Sequence, residues 1–143
     1  MNLLIQPKSE HFVRPFLATN GSGGYDLTCV EDVHVPPYHS VGIWTPLGFA
    51  TAIPKGYLAL LLPRSGIGCK KGLALNNTMG VIDSDYRGEW LACLRNHNAE
   101  PIDIKRGDRV MQFVLIQAQA AFINEVTELP EPDEVHAGFG STD

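Results

Sequence analysis

Residues 80–90 read GVIDSDYRGEW, in which an apolar pair runs directly into two aspartates, a tyrosine and a glycine. Val81 and Ile82 predict the end of a strand, so Asp83 is expected to project from that end. Asp and Gly are usual turn residues, and a turn here would bring Tyr86 back beside Asp83. A surface hairpin explains this pattern, and so does a site in which a carboxylate activates water beside a flat ligand.

The rest of the chain repeats this alternation of short apolar runs and turn residues. Turn signals occur as NGSGG at 20–24, VPP at 35–37, IPKG at 53–56, NHNAEP at 96–101 and KRGD at 105–108. Short strands at such spacing are typical of an all-β sandwich or barrel. At most a short helix is expected, near 65–71, because no segment carries a long 3.6-residue period. The predicted strands are 3–5, 25–30, 41–44, 57–62, 90–94 and 110–116.

Composition favours one globular domain in a reducing compartment. The 143 residues suit a single domain, and 44% hydrophobic against 19% charged residues argue against a disordered chain. A formal net charge of -5 argues against direct nucleic-acid binding, which depends on a basic surface. Three cysteines without a CxxC pair predict a cytoplasmic protein without a disulfide framework. No signal peptide and no membrane span are expected, since the apolar runs are too short.

Three polar stretches are candidate sites, each with a plain structural alternative. In GGYDLT at 23–28, Asp26 is either a solvated side chain or a carboxylate facing a metal and its waters. In LLPRSGIGCKKG at 61–72, Arg64 and Ser65 either contact phosphate or form a proline turn with Ser65 as helix N-cap. In RGDRVMQFVL at 106–115, Gln112 either faces out of the sheet or binds a ligand.

The last stretch, LPEPDEVHAGFGSTD at 129–143, is acidic and then glycine-rich. We expect a β domain over 1–128 and a mobile arm over 129–143. Phe139 could stack on a base, while Ser141 and Thr142 contact phosphate. The alternative is a disordered end without a ligand.

The order of these motifs carries more information than any one of them. GGYDL, PRSG, GVIDSDYRGE, GDRVMQ and GFGST follow one another between residues 24 and 142. This order closely resembles that of the homotrimeric deoxyuridine triphosphate nucleotidohydrolases, the dUTPases. The resemblance implies a distorted antiparallel jelly roll, three active sites at subunit contacts and a C-terminal arm that covers another subunit's site. It also implies hydrolysis of dUTP to dUMP and pyrophosphate with Mg²⁺, which keeps uracil out of DNA and supplies the dTMP precursor.

The resemblance also implies a role for each matching residue. Asp83 corresponds to the general base that activates the attacking water, Arg64 to a phosphate contact at the reaction centre, and Asp26 to a carboxylate that meets the waters of the metal. Asn77 and the backbone near Gly80 correspond to the positions that read the uracil edge. The remaining implied substrate contacts are Tyr86 on the deoxyribose, Ser65, Gly66 and Gln112 on phosphate, and Phe139, Gly140 and Ser141 in the covering arm.

One position departs from the family pattern. The fifth motif usually runs Arg-Gly-x-Gly-Gly-Phe-Gly-Ser, and here residues 134–141 read EVHAGFGS, with Glu134 at the place of the arginine. The arginine normally grips the γ-phosphate, so a carboxylate there is expected to repel it. The hypothesis is a looser arm and a weaker grip on the substrate.

Two other functions remain open on the sequence. A dCTP deaminase shares the fold, but its catalytic glutamate would fall at Cys93. A non-catalytic or dual-role dUTP-binding regulatory protein would keep the trimer and tolerate the changed fifth motif. The host compartment follows the source, so a phage or viral protein is expected in the host cytoplasm.

Overall fold

The computed structural model describes residues 2–38 and 41–133, which form twelve strands and one helix. The strands are β1 (Leu4–Pro7), β2 (Phe16–Leu17), β3 (Tyr25–Thr28), β4 (Val33–Val35), β5 (Ile43–Pro46), β6 (Phe49–Ala52), β7 (Tyr57–Pro63), β8 (Leu73–Leu75), β9 (Gly80–Ile82), β10 (Leu91–Asn96), β11 (Ile102–Ile104) and β12 (Arg109–Gln117). The helix is α1 (Ser65–Lys71).

Strand β12 lies at the centre of the largest sheet, whose order is β2-β3-β12-β7-β9. Its run of β-branched and aromatic residues suits a pleated, largely buried strand. On one side it pairs with β7, from Met111 opposite Pro63 to Gln117 opposite Tyr57. On the other side it pairs with β3, which brings Gln112 opposite Asp26. These registers place polar side chains of two candidate motifs beside each other.

Three smaller sheets, β5-β10-β8, β1-β6 and β4-β11, complete the β structure, and every strand pairing among the described residues is antiparallel. They meet around three buried aromatic rings. The Trp90 ring centroid lies 5.0 Å from that of Phe49 and 5.2 Å from that of Phe113, so β6, β12 and the start of β10 share one core. The Trp90 indole N–H donates to Thr51 Oγ1 at 3.0 Å, which satisfies its buried polar atom.

The predicted all-β class is confirmed, with differences in detail. All six predicted strands exist with shifted ends, and the helix at 65–71 is confirmed. Strands β2, β4, β6, β8 and β11 were not predicted, because runs of two to four residues carry too little periodicity. The alternative in which Ser65 is the N-cap is wrong: Arg64 takes that position with φ -78° and ψ 142°, without a side-chain cap bond.

The described residues after β12, 118–133, have no regular secondary structure. The proposed boundary at residue 128 therefore stays a prediction. Among the residues that the structure describes, no helix is long and apolar enough to cross a membrane.

Candidate active site

Residues of the stretch 80–86 line a cavity of about 230 Å³. Asp83 and Tyr86 both line it, and the tyrosine amide N–H donates to the Asp83 carbonyl at 3.2 Å, which closes the turn after β9. Both side chains are exposed to solvent. The cavity is lined by Trp44, Leu61, Leu75, Asn77, Gly80, Val81, Ile82, Asp83, Tyr86, Leu91 and Cys93.

The ring of Tyr86 is held by its own turn. Its hydroxyl donates to the Glu89 carbonyl at 3.0 Å, and the Glu89 carboxylate accepts the Gly48 amide N–H at 3.1 Å. A Cβ at Gly88 would lie 2.4 Å from the Tyr86 hydroxyl oxygen, so only glycine leaves room for the ring in this position. The turn therefore orients the aromatic face as well as Asp83.

The opposite edge of the cavity is the hairpin between β8 and β9. Asn77 Nδ2 donates to the Met79 carbonyl at 3.1 Å, which orients the amide. Gly80 pairs with Leu61, and a Cβ at Gly80 would lie 3.1 Å from the Leu61 Cβ. The hairpin thus lies tightly on β7. An amide and backbone polar groups beside apolar walls can read the edge of a planar heterocycle.

A second cluster surrounds Asp26, whose side chain is 6% exposed. Arg64 Nε donates to Oδ1 at 2.8 Å, and Arg109 Nη1 donates to Oδ2 at 3.1 Å. Arg64 Nη1 also donates to the Arg109 carbonyl at 3.2 Å. Two guanidinium groups against one carboxylate leave a net positive charge, which suits a phosphate group.

Gln112 lies next to this cluster. Its Nε2 donates to the Pro63 carbonyl at 3.1 Å, so the polar side chain within β12 has a partner. A Cβ at Gly24 would lie 2.7 Å from the Gln112 Oε1, which explains why the glycine-rich entry to β3 is needed here. The first, second and fourth motifs of the sequence therefore meet at one point of the large sheet.

Ser65 and Gly66 form the exposed first turn of α1, directly after Arg64. The helix ends at Gly72, whose φ of 63° is left-handed and favours glycine. Phe139, Gly140 and Ser141 lie outside the described residues.

The predicted residues form two groups within one chain. Asn77, Gly80, Asp83 and Tyr86 line the cavity. Asp26, Arg64 and Gln112 belong to the second cluster, Ser65 follows Arg64 at the start of α1, and none of these four lines the cavity. Sequence reasoning did not assign Arg109, although it lies within the GDRVMQ motif.

Sequence reasoning also missed one wall of the cavity. Leu91 and Cys93 are two residues apart on β10, and Trp44 on β5 pairs with Cys93. The period of two in β10 would have placed Leu91 and Cys93 on one face. Burial raises the pKa of the Cys93 thiol, so it stays protonated at neutral pH.

The family model described as dUTPase matches residues 10–143. The chain belongs to the dUTPase family. The resemblance carried by the five short motifs is therefore confirmed over nearly the whole length.

Several dUTPase sequences match at similar identity. The deoxyuridine 5'-triphosphate nucleotidohydrolase of Dictyoglomus turgidum is 39% identical, over 99% of this chain and 98% of that protein. The Zymomonas mobilis protein of the same name is 42% identical over 95% of this chain and 92% of its own. The one from Paramecium bursaria Chlorella virus 1 is 38% identical over 99% and 97%.

Solved dUTPases share the fold. The Staphylococcus bacteriophage 80alpha dUTPase with dUPNHPP has a TM-score of 0.89 at 22% identity, covering 99% of this chain and 98% of that one. A variant dUTPase of S. aureus phage phi11, described with a structural Mg(II) ion, has a TM-score of 0.81 at 23% identity, covering 90% and 98%. With its antiparallel sheets around one core, the described chain is a distorted jelly roll of the dUTPase type.

Proposed function

We propose that this protein is a dUTP diphosphatase, which hydrolyses dUTP to dUMP and pyrophosphate and so keeps uracil out of DNA and supplies the dTMP precursor. The observation that carries the proposal is the shared cavity of Asp83, Tyr86 and Asn77. It places a carboxylate, an aromatic ring and an amide around one small space. Relatives of about 40% identity over nearly the whole chain are named for this reaction.

The nucleoside half of the substrate would occupy the cavity. Asn77 and the backbone near Gly80 would hydrogen-bond the uracil edge between the apolar walls. The Tyr86 ring would pack on the deoxyribose and leave no room for a 2′-hydroxyl. Asp83 would accept a proton from the water that attacks the α-phosphorus, as a general base.

The triphosphate needs positive charge, which the second group supplies. Arg64 and Arg109 present guanidinium groups around Asp26, and Ser65, Gly66 and Gln112 add neutral contacts. Fixed donors of this kind stabilise the charge that develops during phosphoryl transfer. The reaction therefore relies on positioning and electrostatics rather than on a covalent intermediate.

Magnesium fits this arrangement only together with the substrate. Within residues 2–38 and 41–133, no three His, Cys, Asp or Glu side chains form a group able to hold a metal ion. Magnesium usually keeps several waters and binds one or two carboxylates plus substrate phosphates. Asp26 suits that role through water, because each carboxylate oxygen can accept more than the one guanidinium bond it has here. When bound, the ion would neutralise charge on the triphosphate.

We further propose that the working site lies between copies of this chain in a homotrimer. The cavity and the arginine cluster are separate in one chain, so another copy would bring its Arg64 group to this cavity. Exposed apolar side chains such as Trp44 on the cavity rim and Phe122 after β12 would then be covered. Phe139, Gly140 and Ser141 of the arm are proposed to close over the base and phosphates.

Pyrophosphate release from dUTP in the presence of Mg²⁺ tests the reaction, with Asp83→Asn compared under the same conditions. The variant keeps the shape of the side chain but removes the base, so release should fall by roughly 100-fold or more. Asp85→Asn is the matched control, since it makes the same change in the same turn at a residue that does not line the 230 Å³ cavity. No release from the parent protein, or equal loss in both variants, would contradict the proposal.

A further inference from the structure

The hairpin between β8 and β9 contains a strained residue. Thr78 has a φ of 67°, a left-handed value that is a genuine outlier for a β-branched side chain. The Met79 amide N–H donates to the Asn77 carbonyl at 2.7 Å, a bond between residues two apart. A positive φ at the central residue of such a bond defines the classic γ-turn, which is rare and strained.

Neighbouring bonds hold this turn in place. The Thr78 amide N–H donates to the Leu75 carbonyl at 3.0 Å, and the Asn77 side chain donates to the Met79 carbonyl at 3.1 Å. At the two ends, Leu75 pairs with Leu94 and Gly80 pairs with Leu61. The surrounding structure therefore determines the turn, which is the condition under which a strained backbone persists.

The strained position lies between two cavity residues. Asn77 precedes Thr78 and Gly80 follows two residues later, and both line the cavity, whereas Thr78 does not. Glycine or asparagine would adopt a positive φ at lower cost, and the chain places an asparagine next to the turn rather than at its centre. A β-branched residue, with restricted backbone and χ1 angles, therefore occupies the position at which a glycine would make the hairpin most flexible.

We propose that Thr78 is a positioning residue for base selection, an inference that rests on the proposed dUTP site. A β-branched residue has few backbone and χ1 states, so the γ-turn, once formed, leaves Asn77 and the Met79–Gly80 backbone in one orientation. Glycine would let the same turn sample a broad region of positive φ. The strained turn thus preorganises the Asn77 side chain and the Met79–Gly80 backbone. These groups would distinguish a pyrimidine base with an N3–H donor from one without it.

Thr78→Gly and Thr78→Val separate stiffness from chemistry. Glycine relieves the strain, whereas valine keeps the branched Cβ and replaces the hydroxyl with a methyl group. The first readout is binding of the imido analogue dUPNHPP, which is monitored by the fluorescence of the exposed Trp44 on the cavity wall. The other readouts are the KM and kcat for dUTP, the preference for dUTP over dCTP, and the melting temperature.

For Thr78→Gly we expect weaker dUPNHPP binding and a KM raised by roughly tenfold, with kcat nearly unchanged and the preference over dCTP reduced. Its melting temperature should stay level or rise, since strain is relieved, so a fall in affinity would not reflect unfolding. Thr78→Val should keep KM and selectivity within about twofold of the parent.

Three outcomes would overturn the positioning role: Thr78→Gly binds and selects like the parent, Thr78→Val is as impaired as Thr78→Gly, or the parent binds no dUPNHPP. Failure of the proposed reaction has a different signature, namely a parent that binds dUPNHPP but releases no pyrophosphate from dUTP. In that case, weaker analogue binding by Thr78→Gly alone would still support the positioning role.

Discussion

Single side chains in this protein are fixed by partners that are distant in sequence. Asp26 is bound by Arg64 and Arg109, which lie 38 and 83 positions away. The carboxylate is almost fully buried, so losing one arginine would leave part of its charge unpaired in a low-dielectric site. The same contacts hold the Arg64 guanidinium at the entrance to α1. Structure and proposed phosphate binding therefore depend on the same carboxylate.

The buried thiol of Cys29 is expected to make the free energy of unfolding depend on pH in the alkaline range. Burial, with smaller effects of the Asp108 and Glu31 charges, raises the pKa of this thiol from 9.0 to about 12. Between pH 9 and pH 12 the folded state keeps the thiol proton, whereas the unfolded chain releases it. The contribution of Cys29 to the free energy of unfolding is therefore fully present below pH 9 and is lost as the pH rises from 9 toward 12. By about pH 10.5 this effect should lower the free energy of unfolding by up to about 2 kcal/mol.

Denaturant unfolding of the parent and of Cys29→Ala across that alkaline range checks this. The variant should be less stable at neutral pH, because packing is lost, but its free energy of unfolding should fall less steeply above pH 9. Cys69→Ala, which removes an exposed thiol on α1, should follow the parent. Parallel curves for all three proteins would show that Cys29 does not carry the effect.

Among the secondary-structure elements, strands and turns differ in how far the sequence predicts them. Strand β12 was predictable because its nine residues include a nearly continuous apolar run with β-branched and aromatic side chains, interrupted by Gln112 alone. Strands β4 and β11 have three residues each and exist because Val35 pairs with Ile102 and Val33 with Ile104 across the chain. No local pattern contains that pairing. The sequence predicted where the turn after β9 lies but not its side-chain contacts, because the close approach of Tyr86 to Gly88 exists only once the turn has folded.

The turn after β9 is expected to affect both the activity and the choice of sugar. In Gly88→Ala the new Cβ would overlap the Tyr86 hydroxyl, so the ring must rotate away from its bond to Glu89. We expect a loss of roughly tenfold in kcat/KM for dUTP and a weaker rejection of UTP, since in the proposed site the placement of the ring would exclude the 2′-hydroxyl. Melting temperature should change little, because the ring is partly exposed.

Steady-state kinetics with dUTP and UTP provide the measurement. Gly21→Ala is a suitable control, since a Cβ there meets nothing within 4 Å. Unchanged rejection of UTP in Gly88→Ala would mean that the turn does not set the sugar preference.

At the scale of the whole molecule, one described chain leaves apolar surface uncovered. Trp44 is 67% exposed, and Phe122 and Ile123 are 98% and 92% exposed. Exposed apolar side chains of this size are candidates for burial against a partner surface. The assembly proposed above would cover them and would bring the arm of one copy toward the site of another.

Residue 134, in the proposed arm, lies outside the described part of the chain. We propose that Glu134 takes the place of the arginine expected in the fifth motif, and a carboxylate at contact distance from the γ-phosphate would cost about 1 kcal/mol or more. Glu134→Arg should therefore lower the KM for dUTP by roughly tenfold at low salt, and the gain should shrink as ionic strength rises.

Glu131→Arg makes the same change of charge three residues earlier and controls for general attraction of the anion. An equal fall in KM for both variants, or no fall in either, would contradict a specific role for position 134.

Local sequence patterns were enough to predict the all-β class, the helix at 65–71, the turn after residue 82 and the residue types proposed for the chemistry. These features depend on short-range periodicity, turn propensity and the fixed order of motifs, which are properties of neighbouring residues. The folded chain was needed to see that Arg109 shares Asp26 with Arg64, that Trp44, Cys93 and Asn77 line one cavity, and that Thr78 is held in a γ-turn. The physical reason is that these arrangements arise from packing and pairing between segments far apart in sequence, and that packing outweighs local preference where it favours a conformation that the residue alone would avoid.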